Sequence, residues 1–361
     1  MSRSPALIAG GGPAGAAAAI LLARGGAPPR LIERSEGPHD KVCGGFLGWD
    51  CLAALEALGV APARLGARPI ARLRLKSAAD EAAAALPYPA AGLSRRVLDE
   101  ALLAAAREAG ALVERGVAIR SADLERRALR LESGDEAAGD ALLLATGKHE
   151  LRGAARPRDT SNDPVGLRTS LRPSPALERA LDGVIELHLF DGGYAGLLLQ
   201  EDGTANLCLS VARARVKAAG GIAGLIEALR AELPRFDERL RAGEAGEWSA
   251  IAGVPYGWRA EPDGSGVYRL GDQGAVIASL AGDGIAIALA SGREAARAVL
   301  AGEDSAVYQA RLARRASRPL KVAEALRWAA ERPAPRSALM RLVRAVPAAP
   351  GLAARLTRIG T

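Results

Sequence analysis

The chain has 361 residues, is 49 % hydrophobic and 25 % charged, and carries a formal net charge of +7 at pH 7. These are ordinary globular proportions that exclude a disordered or fibrous chain, and the length suits one large or two intergrown domains. Three cysteines without a CxxC pair and three histidines without an HExxH argue against a structural zinc site or a disulfide framework, and no metal is expected.

The basic surplus is uneven. Of the 48 basic residues only five are lysines, and with the abundant alanine this bias reflects genome base composition more readily than a nucleic-acid surface. Ser305–Thr361 holds twelve basic residues against Glu324 and Glu331, a local +10, so the first 304 residues carry −3. No apolar run reaches the ~20 residues of a spanning helix. The first strand begins at once, which leaves no room for a signal peptide, and a reducing cytoplasmic compartment is expected.

In chain order, Ala6–Ala9 reads as a short apolar strand, followed by glycines and an alanine-rich helix from Pro13 to Arg24. Arg30–Glu33 is the next strand, so the chain opens as a βαβ unit of a parallel sheet. Ile70–Lys76 alternates apolar residues with Arg72, Arg74 and Lys76, the pattern of a strand with one solvated face. Val97–Ala109 has helical spacing, Ala111–Val117 returns to strand, and Ala141–Ala145 is a buried strand. Arg152–Pro175 is rich in Arg, Pro, Asp and Ser and reads as a crossing between domains. Strands follow at Val184–Phe190, Gly196–Gln200 and Asn206–Val211, a helix at Ile222–Leu233, a strand at Val267–Leu270 and a helix at Gly284–Leu300. The remainder is helical and basic.

Gly10, Gly12 and Gly15, with Pro13 and Ala14 between them, stand between strand and helix, and Glu33 ends the next strand. In this order the residues are specific for a dinucleotide. Gly10 permits a tight turn, Gly12 lets the backbone approach a pyrophosphate, Gly15 packs the helix on the strand, and Glu33 can accept ribose hydroxyls. A second motif, Gly271–Asp272 with Gly282, Gly284 and Ile285, joins a strand end to a helix. Asp272 there can bond a ribityl hydroxyl, and the helix aims its positive end at charge on a reduced flavin. Two such motifs point to an extended dinucleotide bound at both ends.

These residues, with Ser94–Asp99 and Ala145–Gly147, resemble the FAD-dependent oxidoreductases of the aromatic-hydroxylase type over about Leu7 to Leu300. Lys41–Val–Cys43–Gly44–Gly45–Phe46 and Gly192–Gly–Tyr194 are most similar to the geranylgeranyl-reductase branch. The resemblance implies FAD as cofactor, with Arg95 near the flavin chain, Ala145 and Gly147 near the adenosine, and Arg34 beside Glu33. It sets Lys41, Cys43, Gly44 and Gly45 beside the isoalloxazine ring. It implies an α/β fold: a Rossmann-type FAD-binding domain (1–65, 92–160 and 255–303) intergrown with a mixed or antiparallel substrate sheet (66–91 and 161–254), then a basic helical segment (304–361). The chain departs from the family where Ala278 and Ser279 replace prolines usual in the second motif. No Asp-Gly motif for NADPH is clear, Asn162–Gly166 being a poor substitute, and no lysine stands where a halogenase would need one.

The expected function is therefore reduction of a carbon–carbon double bond in a hydrophobic, isoprenoid-like or polyketide-like substrate, with FAD monooxygenation of an aromatic or polyketide as the alternative. NAD(P)H or a protein donor would reach the flavin transiently. Cys43 reads either as a catalytic thiol that places substrate or donates a proton, or as a small residue packed in its turn. Tyr194 and Trp258 are candidates for the substrate chamber, while Cys51 and Cys208 read as core. The tail reads either as an amphipathic helix pair closing the substrate domain or as a dock for a carrier protein or an anionic membrane surface, in which case the protein would be peripheral to the membrane. Nucleic acid is not an expected partner.

Overall fold

The computed structural model describes residues 4–156 and 164–359. Two sheets organise them. In the first, strands Leu112–Arg115, Arg30–Glu33, Ser4–Ala9 and Glu136–Leu144 lie side by side, with Val267–Arg269 beyond, and these neighbours are all parallel. Ala6, Leu7, Ile8 and Ala9 are completely buried, as a parallel strand covered on both faces requires. Strand Glu136–Leu144 serves two partners. Its first half pairs antiparallel with Ala128–Leu131, which pairs in turn with Ile119–Asp123, and from Gly139 onward it pairs with Ser4–Ala9.

Helix Pro13–Arg24 packs on this sheet through Ala16, Ala17, Ala18 and Ala19, all wholly buried, and helix Gly284–Leu300 crosses it closely. Small residues make that crossing possible: a Cβ on Gly292 would lie 2.3 Å from the Ala14 carbonyl oxygen. Because both helices start at the same edge of the sheet, their N-termini come together there.

The second sheet runs Gly243–Ala245, Val165–Pro173, Ala205–Val211, Gly193–Leu199, Val184–Phe190, Arg68–Lys76, Glu81–Gly92 and Phe46–Leu47, with Ser249–Ile251 also on Val165–Pro173. Only the Val184–Phe190 and Arg68–Lys76 pair is parallel. One face is covered by helices Pro175–Leu181, Ile222–Glu232 and Pro234–Arg241 around Leu167, Leu197, Leu207, Leu229 and Phe236. The expected mixed α/β architecture is the one adopted.

Two local expectations need correction. Lys76 is not on a solvated face; it is 4 % exposed, and its Nζ lies 3.1 Å from the fully buried Glu186 carboxylate, which also takes Arg239 and His188. Helix Pro234–Arg241 covers that face and adds Arg239, while the neighbouring strand Val184–Phe190 supplies the counter-charge, Glu186. The tail is three helices, Ser305–Ala330, Pro333–Ala345 and Ala349–Thr357, not a pair. The first packs on Gly284–Leu300, Val267–Arg269 and the 3-10 turn Ser279–Ala281, whereas the other two lie against Glu81–Gly92. Among the described residues no helix is long and apolar enough to cross a membrane.

Candidate functional site

A cleft of about 500 Å³ opens at the carboxyl ends of the parallel strands and extends along the second sheet. That volume is in the range of small-molecule sites, and the position is where open α/β sheets bind ligands. Gly10 is dictated by the chain itself. Its φ is +105°, its N–H donates to the Ile32 carbonyl at 2.9 Å, and a Cβ would sit 2.6 Å from the Ala145 oxygen. Gly15 is equally constrained, with a Cβ position 2.0 Å from the Gly10 oxygen.

Gly12, Gly44 and Gly284 are different. None has a positive φ; a Cβ on Gly12 would meet nothing nearer than Arg95 Nη2 at 3.4 Å, and on Gly44 or Gly284 nothing within 4 Å. All three line the cleft. The protein does not need them bare, so the bare backbone is left for something in the cleft. Helices Pro13–Arg24 and Gly284–Leu300 both begin without a side-chain cap, and their free N–H groups and positive dipole ends face the same space.

At one end of the cleft, Glu33 accepts the Gly11 N–H at 2.7 Å and the Ser35 N–H at 3.0 Å. Burial pushes its carboxyl up, but these amides and Lys41 outweigh burial and hold it below the ordinary value. Arg34 pairs with His149 Nε2 at 2.9 Å, and burial, helped by Arg34 and Lys41, pushes the His149 imidazole below its ordinary value. Burial also lowers Lys41. Arg95 starts the helix capped by Ser94 and is fixed by a bidentate pair to Asp99, both bonds 2.7 Å, which leaves its guanidinium over Gly12 and beside the Cys43 thiol.

The second motif closes the opposite wall. The Gly271 N–H donates to Ser291 Oγ at 2.8 Å, and Asp272 Oδ2 takes Lys148 Nζ at 2.9 Å. Asp272 holds the Lys148 ammonium above its ordinary value against the cost of burial. Arg156 donates to the Asp272 and Lys148 carbonyls, and Gln273 donates to those of Gly147 and His149, so the loop after Ala145 is stitched to this motif. Gly282, φ +74°, turns against Phe46 and leads to the buried Ile285.

Between the two ends lies the Lys41–Phe46 turn, held by the second sheet. Asn206 Nδ2 donates to the Cys43 and Gly44 carbonyls at 3.0 and 2.8 Å, and Asn206 Oδ1 accepts from Arg168 Nε at 2.8 Å. Arg168 also pairs with Asp40 at 2.9 Å, so both ends of the turn hang on one buried guanidinium. Gly45, φ +69°, packs on Gln200 and the Leu93 carbonyl.

The far half of the cleft is apolar, walled by Ile185, Leu187, Leu198, Ile251, Val254, Val276, Ile277 and Leu280, with Tyr194, Tyr256 and Ser279. Cys208 belongs to this wall rather than to the core, and burial pushes its thiol up to about 12. Trp258 is not among the lining residues; Tyr256, two positions earlier, is.

Of the residues singled out from the sequence, Gly10, Gly12, Pro13, Ala14, Glu33, Arg34, Lys41, Cys43, Gly44, Gly45, Arg95, Ala145, Gly147, Gly271, Asp272, Gly282, Gly284 and Ile285 line this one cleft, and Gly15 packs behind it. Sequence reasoning missed Lys148, Arg168, Asn206 and Tyr256, and it found Tyr194 but not the hydroxyl it bonds, Ser279. Lys148 follows Gly147 directly and could have been found; Arg168 and Asn206 meet only through strand pairing and had no local signal. Asn162 and Asp163 lie outside the described residues. Among the described residues no cluster of His, Cys, Asp and Glu could hold a metal ion.

Residues 3–139 match the family described as FAD binding domain. No curated protein sequence matches the chain. Among solved structures, the flavin-dependent brominase Bmp2 superposes with a TM-score of 0.76 at 16 % identity over 98 % of each chain. A geranylgeranyl bacteriochlorophyll reductase-like protein from Thermoplasma acidophilum gives 0.76 at 18 % identity, covering 99 % of this chain and 93 % of its own. The pqsL protein of Pseudomonas aeruginosa, described as a probable FAD-dependent monooxygenase, gives 0.73 at 17 %, covering 94 % and 100 %. At such identities the likeness is one of fold. The cleft fits FAD on its own terms: bare glycines at Gly12, Gly44 and Gly284, two uncapped helix N-termini, Arg95 over the glycine turn and Glu33 at the end of the second strand.

Proposed function

We propose that this chain, which carries an FAD binding domain in the fold shared by FAD-dependent halogenases, monooxygenases and reductase-like proteins, reduces a carbon–carbon double bond of a hydrophobic, isoprenoid-like or polyketide-like substrate. The domain match and the fold support an FAD-dependent oxidoreductase, and both that activity and the reaction are our reading. A shared scaffold does not fix the chemistry. What carries the reading is the Lys41–Phe46 turn, whose Cys43 lines the cleft between its polar and apolar halves and is clamped there by Asn206.

Bound FAD would supply the electron pair for such a reduction. The helix N-termini at Pro13 and Gly284 and the Arg95 guanidinium would hold its phosphates and ring, Glu33 its ribose, and Asp272, steadied by Lys148, its ribityl chain. Cys43 Sγ is the proton-bearing atom we assign to the reacting end, and Asn206 and Arg168 keep it there. The apolar far half receives the substrate skeleton. The reductant, NAD(P)H or a protein donor, would meet the cleft transiently, since the sequence holds no second glycine fingerprint. In the tail, Arg314, Arg318, Lys321 and Arg341 have no partner among the described residues and are what remains for a carrier protein or an anionic membrane surface.

The alternative, hydroxylation, is favoured by the fold likeness to pqsL. Product analysis separates the two. FAD-loaded protein, reduced without oxygen and mixed with geranylgeraniol or 3-decen-2-one, should yield a product heavier by two hydrogens. A hydroxylated product formed stoichiometrically on admitting oxygen would overturn the reductase reading.

A further inference from the structure

The apolar half of the cleft contains one built polar feature. Tyr194 donates its hydroxyl to Ser279 Oγ at 2.6 Å, the Tyr256 hydroxyl bonds the same oxygen, and Ser210 Oγ lies 3.2 Å from Tyr256. Four hydroxyls are thus joined by three bonds, which leaves one O–H uncommitted. Its position can be worked out. Ser210 is 2 % exposed and has no other acceptor among the described residues, so its proton goes to Tyr256. Tyr256 then donates to Ser279, as Tyr194 does. The free O–H is that of Ser279, which lines the cleft and is accessible from it.

Ser279 is also where this chain departs from the family it resembles, replacing a proline with a hydroxyl. No charged side chain lines this half of the cleft. Burial raises both tyrosines, so they stay neutral donors, and the charged lining residues all belong to the Glu33–Lys41, Arg95, Lys148–Glu150 and Asp272 segments of the other half. The Arg327 guanidinium lies over the Tyr256 ring at 5.6 Å but is committed to Glu324 and Glu331, and Lys148 is committed to Asp272, so a diphosphate at Ser279 would find no uncommitted cation, whereas a neutral oxygen acceptor would complete the hydroxyl chain.

We infer that Ser279, bracketed by Tyr194 and Tyr256, is a specificity-determining anchor for a neutral carbonyl or hydroxyl oxygen on an otherwise apolar substrate. This rests on the double-bond reading only for its purpose: a hydrogen bond to a carbonyl conjugated with the alkene draws electron density from the carbon to be reduced. It narrows the substrate class to oxygenated, uncharged skeletons at this end.

The test is binding, and it does not require turnover. FAD-loaded protein is titrated, by the change in flavin absorbance, with 3-decen-2-one and with the diene that carries CH2 in place of its carbonyl oxygen. Ser279→Ala should weaken the enone about three- to tenfold relative to the diene, the range of one neutral hydrogen bond. Ser279→Cys, a weak donor of similar size, should repeat the loss, and Ser279→Thr should restore the wild-type ratio. Equal shifts for both ligands, or a wild type that takes up neither, would overturn the anchor. Selective loss of enone affinity without any saturated product would leave the anchor standing and remove the reductase reading; saturated product with equal shifts would do the reverse.

Discussion

Glu33 and Asn206 illustrate two kinds of site residue. Glu33 already takes two backbone amides yet keeps lone pairs toward the cleft, and its carboxyl is held below the ordinary 4.5. A depressed carboxyl contributes stability that is present above the unfolded value and lost as pH falls through the folded one. The Tm gap between wild type and Glu33→Gln should therefore be constant from pH 7 to 5 and close below 4.5. The same substitution removes charge-assisted acceptors and should weaken FAD by about tenfold or more, read by flavin titration. Asn206 acts at one remove. Asn206→Ala leaves the Cys43 and Gly44 carbonyls and Arg168 short of a partner, and should cost about 1–3 kcal/mol in urea unfolding while changing the flavin circular dichroism. An unchanged flavin spectrum would mean that Asn206 does not hold the turn against the cofactor.

The crossing of Pro13–Arg24 with Gly284–Leu300 delivers two dipoles to one cleft, and it depends on Gly292 against Ala14. Gly292→Val should separate the helices, cost about 1–3 kcal/mol as overpacking, and reduce FAD retention after gel filtration; full retention would show that the crossing does not set the site. Elements of this kind were readable from sequence, because a glycine turn, an alanine run and a short apolar strand are local patterns. Pro13–Arg24, Arg30–Glu33, Val184–Phe190 and Gly284–Leu300 match their sequence boundaries. What was not readable depends on distant chain. Lys76 looked solvated until Pro234–Arg241 covered it, Cys208 looked like core until its strand formed the cleft wall, and Asn206 and Arg168 meet only across paired strands.

Over the whole molecule, the −3 body and the +10 tail are the two sides of one interface. Arg311 reaches Glu303, Arg315 pairs with Glu294, Arg336 with Asp191, Arg344 with Asp80, and Arg358 with Asp50 and Asp283. Arg358, stacked on Trp49, matters most, because Asp283 is 1 % exposed and immediately precedes the helix whose first residues line the cleft. Arg358→Met leaves that carboxylate uncompensated. It should cost about 3–5 kcal/mol and weaken FAD binding, as measured by thermal unfolding and flavin titration. A variant that keeps both wild-type values would leave the tail without this role. The central claim is that this one cleft is built around FAD, and Gly12 tests it most directly, since the protein has room for a side chain there and FAD does not. FAD stoichiometry after reconstitution and gel filtration should be one per chain for wild type and near zero for Gly12→Val, with the unfolding temperatures of the two apo-proteins within about 5 °C. Equal FAD retention by the two proteins, or none by wild type, would contradict the account.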